Sequence, residues 1–106
     1  MSQYFLIESK SPFESTEVMY DYQLASDLAE SGHEVTLFLV ENGVLATRSS
    51  IIPPELANLS LVKILADKFS LEERGIESSE VNYSIQVSNI SSVADAMGQG
   101  QKTLWL

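Results

Sequence analysis

Two kinds of apolar pattern alternate along this chain, short unbroken runs and runs spaced three or four residues apart, with polar turns between them. Tyr4–Ile7 is apolar without alternation, which predicts a strand covered on both faces, as in a parallel sheet. The polar stretch that follows holds Pro12, which cannot sit inside a sheet ladder and suits a helix start. Ser11 with Glu14 has capping-box spacing, and Ser15 is the alternative N-cap. From about Ser15 to Ser31 the pattern is helical. Val18, Tyr22, Ala25 and Ala29 fall on one stripe, with Leu24 and Leu28 beside it, while Glu14, Glu17, Asp27 and Glu30 fall largely on the solvent side. "EVTLFLV" then predicts a second strand. Strand, helix and strand in succession make a βαβ unit, whose crossover is right-handed in nearly all proteins.

The rest of the chain repeats the scheme with shorter pieces. "ENGVLATRSS" predicts a turn and a short helix-like piece, and "IIPPELANLS", broken by Pro53 and Pro54, an ordered loop. "LVKILA" predicts the third strand, "SLEERG" a short helix stopped by its glycine, and "SIQVSN" a weak fourth strand. "ISSVADAMG" predicts a helix capped by Asn89 or Ser91, and "KTLWL" a fifth strand. There is no internal repeat and no low-complexity tract. The expected fold is a single three-layer α/β domain over residues 1–106, with about five mostly parallel strands and helices on both faces.

Composition narrows the function classes. Hydrophobic residues make up 44% of the 106, enough for a packed core. A chain this short leaves much of its surface exposed, so self-association is expected. The formal net charge of −9 repels nucleic-acid phosphates and anionic lipid heads, so neither partner is expected. Cysteine is absent, which removes disulfides, thiolate catalysis, thiolate metal sites and persulfide carriage together. The apolar run near the start is too short for a signal peptide, and no stretch approaches the roughly 18 apolar residues of a membrane span. The expectation is a cytoplasmic protein.

Ligands of open parallel sheets gather beyond the carboxyl ends of the strands. That rule selects Glu8 and Ser11 after the first strand, Glu41 and Asn42 after the second, Asp67 and Lys68 after the third, and Ser88 and Asn89 after the fourth. The fifth strand is expected to add almost nothing, because the chain ends there. Asp67 and Lys68 invite an acid–base or covalent role, but Asp67 also stands where a carboxylate caps a helix. Glu8 and Glu41 end neighbouring strands and are expected to face one cleft, an arrangement suited to general acid–base work or a divalent cation. Solvated loop acids are commoner in so acidic a chain, and neither metal nor cofactor is expected. Ser11 and Ser15 in "SPFEST" open a helix and so offer an anion site, although the segment lacks glycine and carries Glu14. His33, the only histidine, precedes the second strand and lies at the wrong edge for catalysis. Trp105 is expected either in the core or as an interface anchor.

Four stretches, "YFLIESKSPFES", "YQLASDLAESGHEVTLFLVENGVLATR", "VKILADKFSLEERGI" and "ISSVADAMGQGQKTLWL", together resemble the DsrE/DsrF-like small α/β family, flavodoxin-like in layout, to which the sulfur-relay Tus subunits also belong. "GHEVTLFLVENGV" is the most specific of the matching pieces. Sulfur carriers of that family use a cysteine just after the third strand, ahead of an "RGI"-like turn, and here that place falls on or close to Asp67. The resemblance implies a dimer, trimer or hexamer; Trp105, Leu106 and "IIPPELANL", apolar and at an edge or outside regular structure, are the expected contact surface. It also implies related DsrE/F-like or sulfur-transfer proteins as partners. The expected function is therefore a non-catalytic binding or accessory protein. The alternative is a small enzyme, or a small-ligand or anion-binding module, using the strand-end pocket with Asp67 and Lys68.

Overall fold

The computed structural model describes residues 1–106. Its five strands are β1 (Gln3–Glu8), β2 (Glu34–Leu39), β3 (Lys63–Asp67), β4 (Ile85–Ser88) and β5 (Lys102–Trp105). They form one sheet in the order β4-β3-β2-β1-β5, and every neighbouring pair is parallel. The chain starts near one side, steps outward strand by strand to β4, and then returns to place β5 on the far side of β1. Four helices join them: α1 (Glu17–Glu30), α2 (Pro54–Ala57), α3 (Lys68–Glu73) and α4 (Ser91–Gly98). The expected three-layer α/β architecture is the one observed.

The apolar stripe of α1 docks as its spacing requires, with Val18, Tyr22, Ala25 and Ala29 all buried. They join Leu6, Leu37, Leu39, Ile64 and Ala66 of the sheet, Leu56 of α2 and Leu71 of α3 in a core of 18 buried residues. The other face carries a core of only six, Phe5, Ile7, Phe38, Val40, Leu65 and Ala96, the last supplied by α4. Alternation along each strand assigns the faces: on β1, Leu6 joins the larger core and Phe5 and Ile7 the smaller.

Two local expectations change. Helix α1 starts at Glu17 with no side-chain cap, so neither the Ser11–Glu14 box nor a Ser15 cap forms. Ser11 instead gathers the free N–H groups of the loop. Its carbonyl accepts from Glu14 (3.1 Å) and Ser15 (3.0 Å), and its hydroxyl accepts from Phe13 (3.1 Å). The Pro53–Pro54 segment is not wholly irregular either. Pro53 stands at the N-cap and Pro54 opens α2, where a missing N–H costs nothing, and Leu56 is driven fully into the core.

The 3-10 segment Glu41–Ala46 leaves β2 by folding back over the end of β1. Val40 N–H donates to the Glu8 carbonyl (3.0 Å), and Gly43 N–H donates to the Val40 carbonyl (2.8 Å). A methyl group on Gly43 would collide with that same Glu8 carbonyl oxygen, which is backbone and cannot move aside. Gly43→Ala is therefore expected to cost about 1–3 kcal/mol, the range of an overpacked core. A urea titration monitored by circular dichroism measures it.

Candidate functional site

Strand β3 ends on Asp67, whose backbone turns directly into α3. The residue is 5% exposed. Its Oδ2 accepts two hydrogen bonds from one residue, from Ser70 N–H (3.0 Å) and from the Ser70 hydroxyl (2.7 Å). Asp67 is thus the N-cap of α3, satisfying an amide left free by the first turn. Ser70 Oγ in turn accepts from Glu41 N–H (2.8 Å). Glu41 holds φ near 50°, a left-handed conformation that costs a non-glycine residue on the order of 1 kcal/mol. A second tether runs parallel to this one. The Arg74 guanidinium donates through Nε (3.2 Å) and Nη2 (3.1 Å) to Asn42 Oδ1, and through Nη1 to the Ser70 carbonyl (3.2 Å). Together they fasten α3 to the segment leaving β2.

These elements wall a cleft of about 370 Å³ at the carboxyl ends of the strands. Val40 and Glu41 come from the end of β2, Asp67 from β3, and Phe69, Ser70 and Glu73 from α3. Asn89 and Ile90 come from the turn before α4, and Trp105 from β5. Phe69, Ile90 and Trp105 are 65%, 61% and 64% exposed. Asp67 Oδ1 is buried and has no hydrogen-bond partner.

The expected residues divide between this cleft and other places. Glu41, Asp67 and Asn89 line it; Asn89 Oδ1 also accepts from Ser91 N–H (2.9 Å), but the N-cap position of α4 is Ile90 and makes no side-chain cap, so neither Asn89 nor Ser91 is the cap. Asn42 is committed to Arg74, and the Ser88 hydroxyl is paired with that of Ser92 (2.6 Å). Lys68 does not join Asp67 in a working pair. It is exposed and turned along α3, with its Nζ 3.9 Å from Glu72 Oε1. Glu8 and Glu41 do not share a cleft. Glu8 is in register with Leu39 and Leu39 with Ala66, so the Glu8 side chain projects to the α1 face, whereas Asp67 projects to the α4 face. Ser11, fully buried, lies with the β1–α1 loop and outside the cleft lining, as does Ser15. His33 sits at the opposite edge, where its Nδ1 accepts from Ser2 N–H (3.0 Å) and its ring meets Tyr4 edge-on.

Sequence reasoning missed Ser70, Phe69, Glu73, Ile90 and the cleft role of Trp105. The expectation that the fifth strand adds almost nothing fails because β5 pairs with β1 over its whole length and delivers Trp105 to the cleft. No three or more His, Asp or Glu side chains converge in a way that would hold a metal ion.

The model of the DsrE/DsrF-like family matches residues 2–106. The chain belongs to that family. The fold is also that of three solved structures, all below a quarter sequence identity. The ychN protein from E. coli has a TM-score of 0.86 at 20% identity, covering 100% of both chains. MTH1491 from Methanobacterium thermoautotrophicum, a protein of unknown function, has a TM-score of 0.76 at 15% identity, covering 99% of this chain and 98% of that one. BT1422 from Bacteroides thetaiotaomicron, a conserved protein of unknown function, has a TM-score of 0.72 at 17% identity over 99% and 95%. No curated protein sequence matches the chain.

This DsrE/DsrF-like chain also buries a second carboxyl. Glu8 is wholly inaccessible; its Oε2 accepts from Lys10 N–H (3.2 Å), while its Oε1 has no partner, and neither has the buried Tyr22 hydroxyl. Burial pushes the Glu8 carboxyl up from its ordinary 4.5 to about 7, the adjoining Asp21 carboxyl adds to the shift, and Lys10 opposes it. Burial likewise pushes the Tyr22 hydroxyl up, aided by the charge of Glu8. The folded state therefore keeps the Glu8 proton where the unfolded chain has released it. Its contribution to stability is complete below pH 4.5 and is lost as the pH rises to about 7. Glu8→Gln, which stays neutral, is expected to remove that loss, a few kcal/mol between pH 4.5 and 7.5. Urea unfolding of both proteins across that range checks it; parallel profiles would show that Glu8 does not titrate in this window.

Proposed function

We propose that this chain is a non-catalytic, oligomeric binding or accessory member of the DsrE/DsrF-like family, cytoplasmic and linked to intracellular sulfur transfer. The observation that carries this is the chemistry of the β3–α3 junction. Where the sulfur carriers of the family resembled by this sequence place a thiol, the chain has Asp67, and it contains no cysteine elsewhere. A carboxylate cannot form a persulfide, and half of this one is already occupied in capping α3. Lys68 points away and gives Asp67 no electrostatic partner, which weighs against an acid–base enzyme.

Association is supported by the apolar surface around the cleft. Phe69, Ile90 and Trp105 are all substantially exposed, an excess that self-association as a dimer, trimer or hexamer, or docking of related DsrE/F-like or sulfur-transfer proteins, would cover. The thinner of the two cores lies on the same side.

Two measurements on the purified chain test the proposal. After incubation with a polysulfide donor and desalting, cyanolysis is expected to release no protein-bound sulfane sulfur, and light scattering after size exclusion is expected to give a mass several times that of one chain. Bound cyanide-labile sulfur, or a monomer at high concentration, would overturn it.

A further inference from the structure

The Asp67 cleft carries three carboxylates, Glu41, Asp67 and Glu73, and neither lysine nor arginine is part of its lining. Two nearby cations, Lys68 at the start of α3 and Arg74 just past its end, are engaged elsewhere. Lys68 runs toward Glu72, and Arg74 is bound to Asn42 and to the Ser70 carbonyl, with Nη1 3.7 Å from Glu73. Glu73 is thereby paired, but Glu41 and Asp67 have no cationic partner, so an anionic ligand would meet like charge here. Acidic side chains alone would amount to a solvated rim, but Asp67 is different. It is nine-tenths buried, part of the cleft wall, and only Oδ2 is satisfied. Oδ1 has lost its water and gained no donor, and a buried acceptor left in that condition is costly.

The remaining walls specify the body of a ligand. Val40, Phe69, Ile90 and Trp105 offer an aliphatic and aromatic surface around that carboxylate. The indole face of Trp105 attracts a cation as well as an apolar chain. Phe69, Ile90 and Trp105 are largely exposed, and exposed side chains change rotamer within nanoseconds, so the apolar rim of the cleft can adjust around a ligand. The volume of about 370 Å³ lies in the range of small-molecule sites.

We infer that the strand-end cleft binds an organic ammonium, with the N⁺–H group donating to Asp67 Oδ1 and an attached apolar chain lying against Phe69, Ile90 and Trp105. The inference deepens the proposed binding role and rests on it. The ammonium comes either from a free amine or from a lysine side chain of a partner protein, and both present the same group.

Trp105 is the only tryptophan, so its emission reports on the cleft directly. Titration with n-hexylammonium is expected to give a saturable change with a dissociation constant on the order of 1 mM or tighter. The same titration with n-hexanol and n-hexanoate is expected to give far weaker binding, since one lacks the charge and the other reverses it. Nα-acetyl-lysine methylamide separates the sources: tighter binding than hexylammonium assigns the site to a partner's lysine, and weaker binding to a free amine. Asp67→Asn keeps a competent N-cap and is expected to fold. It should weaken hexylammonium about ten- to a hundredfold, as loss of a charged hydrogen bond does. Hexanol or hexanoate binding as tightly as the ammonium, unchanged affinity in folded Asp67→Asn, or no saturable change in either emission or heat would overturn the inference. Those failures would leave the oligomeric mass and the absence of sulfane sulfur untouched, so they are separable from failure of the proposed function.

Discussion

The carboxyl end of this sheet depends on one oxygen. Asp67 Oδ2 accepts both the amide and the hydroxyl of Ser70, and the hydroxyl oxygen accepts the amide of Glu41. Three separate pieces of chain, the end of β3, the first turn of α3 and the exit from β2, are thereby fixed to each other. The two bonds to the Asp67 carboxylate are buried and charge-assisted, which makes them stronger than a neutral pair. The tie reaches the chain at Glu41, whose backbone is left-handed with φ near 50° and whose amide Ser70 Oγ accepts. Arg74 and Asn42 repeat the tie one turn later on the surface. The cleft exists because these ties hold α3 against the sheet.

The parallel sheet sends two buried carboxyls to opposite faces. Glu8 lies on the thick side, under α1, where burial pushes its carboxyl up and Tyr22 shares its isolation. Asp67 lies on the thin side, beneath an open apolar rim. Only the second adjoins a cleft large enough for a ligand, so the two have different consequences. Burial of Glu8 couples its proton to folding, and Asp67 organises the wall of the cleft at the carboxyl ends of the strands.

Much of this was legible in the sequence, and the limits have physical causes. The stripe Val18, Tyr22, Ala25 and Ala29 was readable because helical spacing is local, and the strands were readable because burial on both faces leaves unbroken apolar runs. Asp67 as a cap was readable because capping reaches only three residues ahead. Whether Glu8 and Glu41 share a face was not, because that depends on the register between strands, and a shift of one residue reverses every side chain. The contribution of the fifth strand to the cleft was missed for a related reason. Nothing near the end of the chain says that β5 lies beside β1, and that neighbour is what carries the indole to the cleft. Ser70 left no signal at all, since a serine in the first turn of a helix is commonplace until a second strand brings an amide to it.

The central claim, that Asp67 and Ser70 act as one unit, is tested most directly by a double-mutant cycle. Unfolding free energies would be measured for the parent, Asp67→Ala, Ser70→Ala and the double variant. The structure predicts a coupling energy on the order of 1–3 kcal/mol, with the second substitution costing much less once the first is made. Additive losses, with coupling below about 0.5 kcal/mol, would contradict it and leave the cleft without the tie that shapes it.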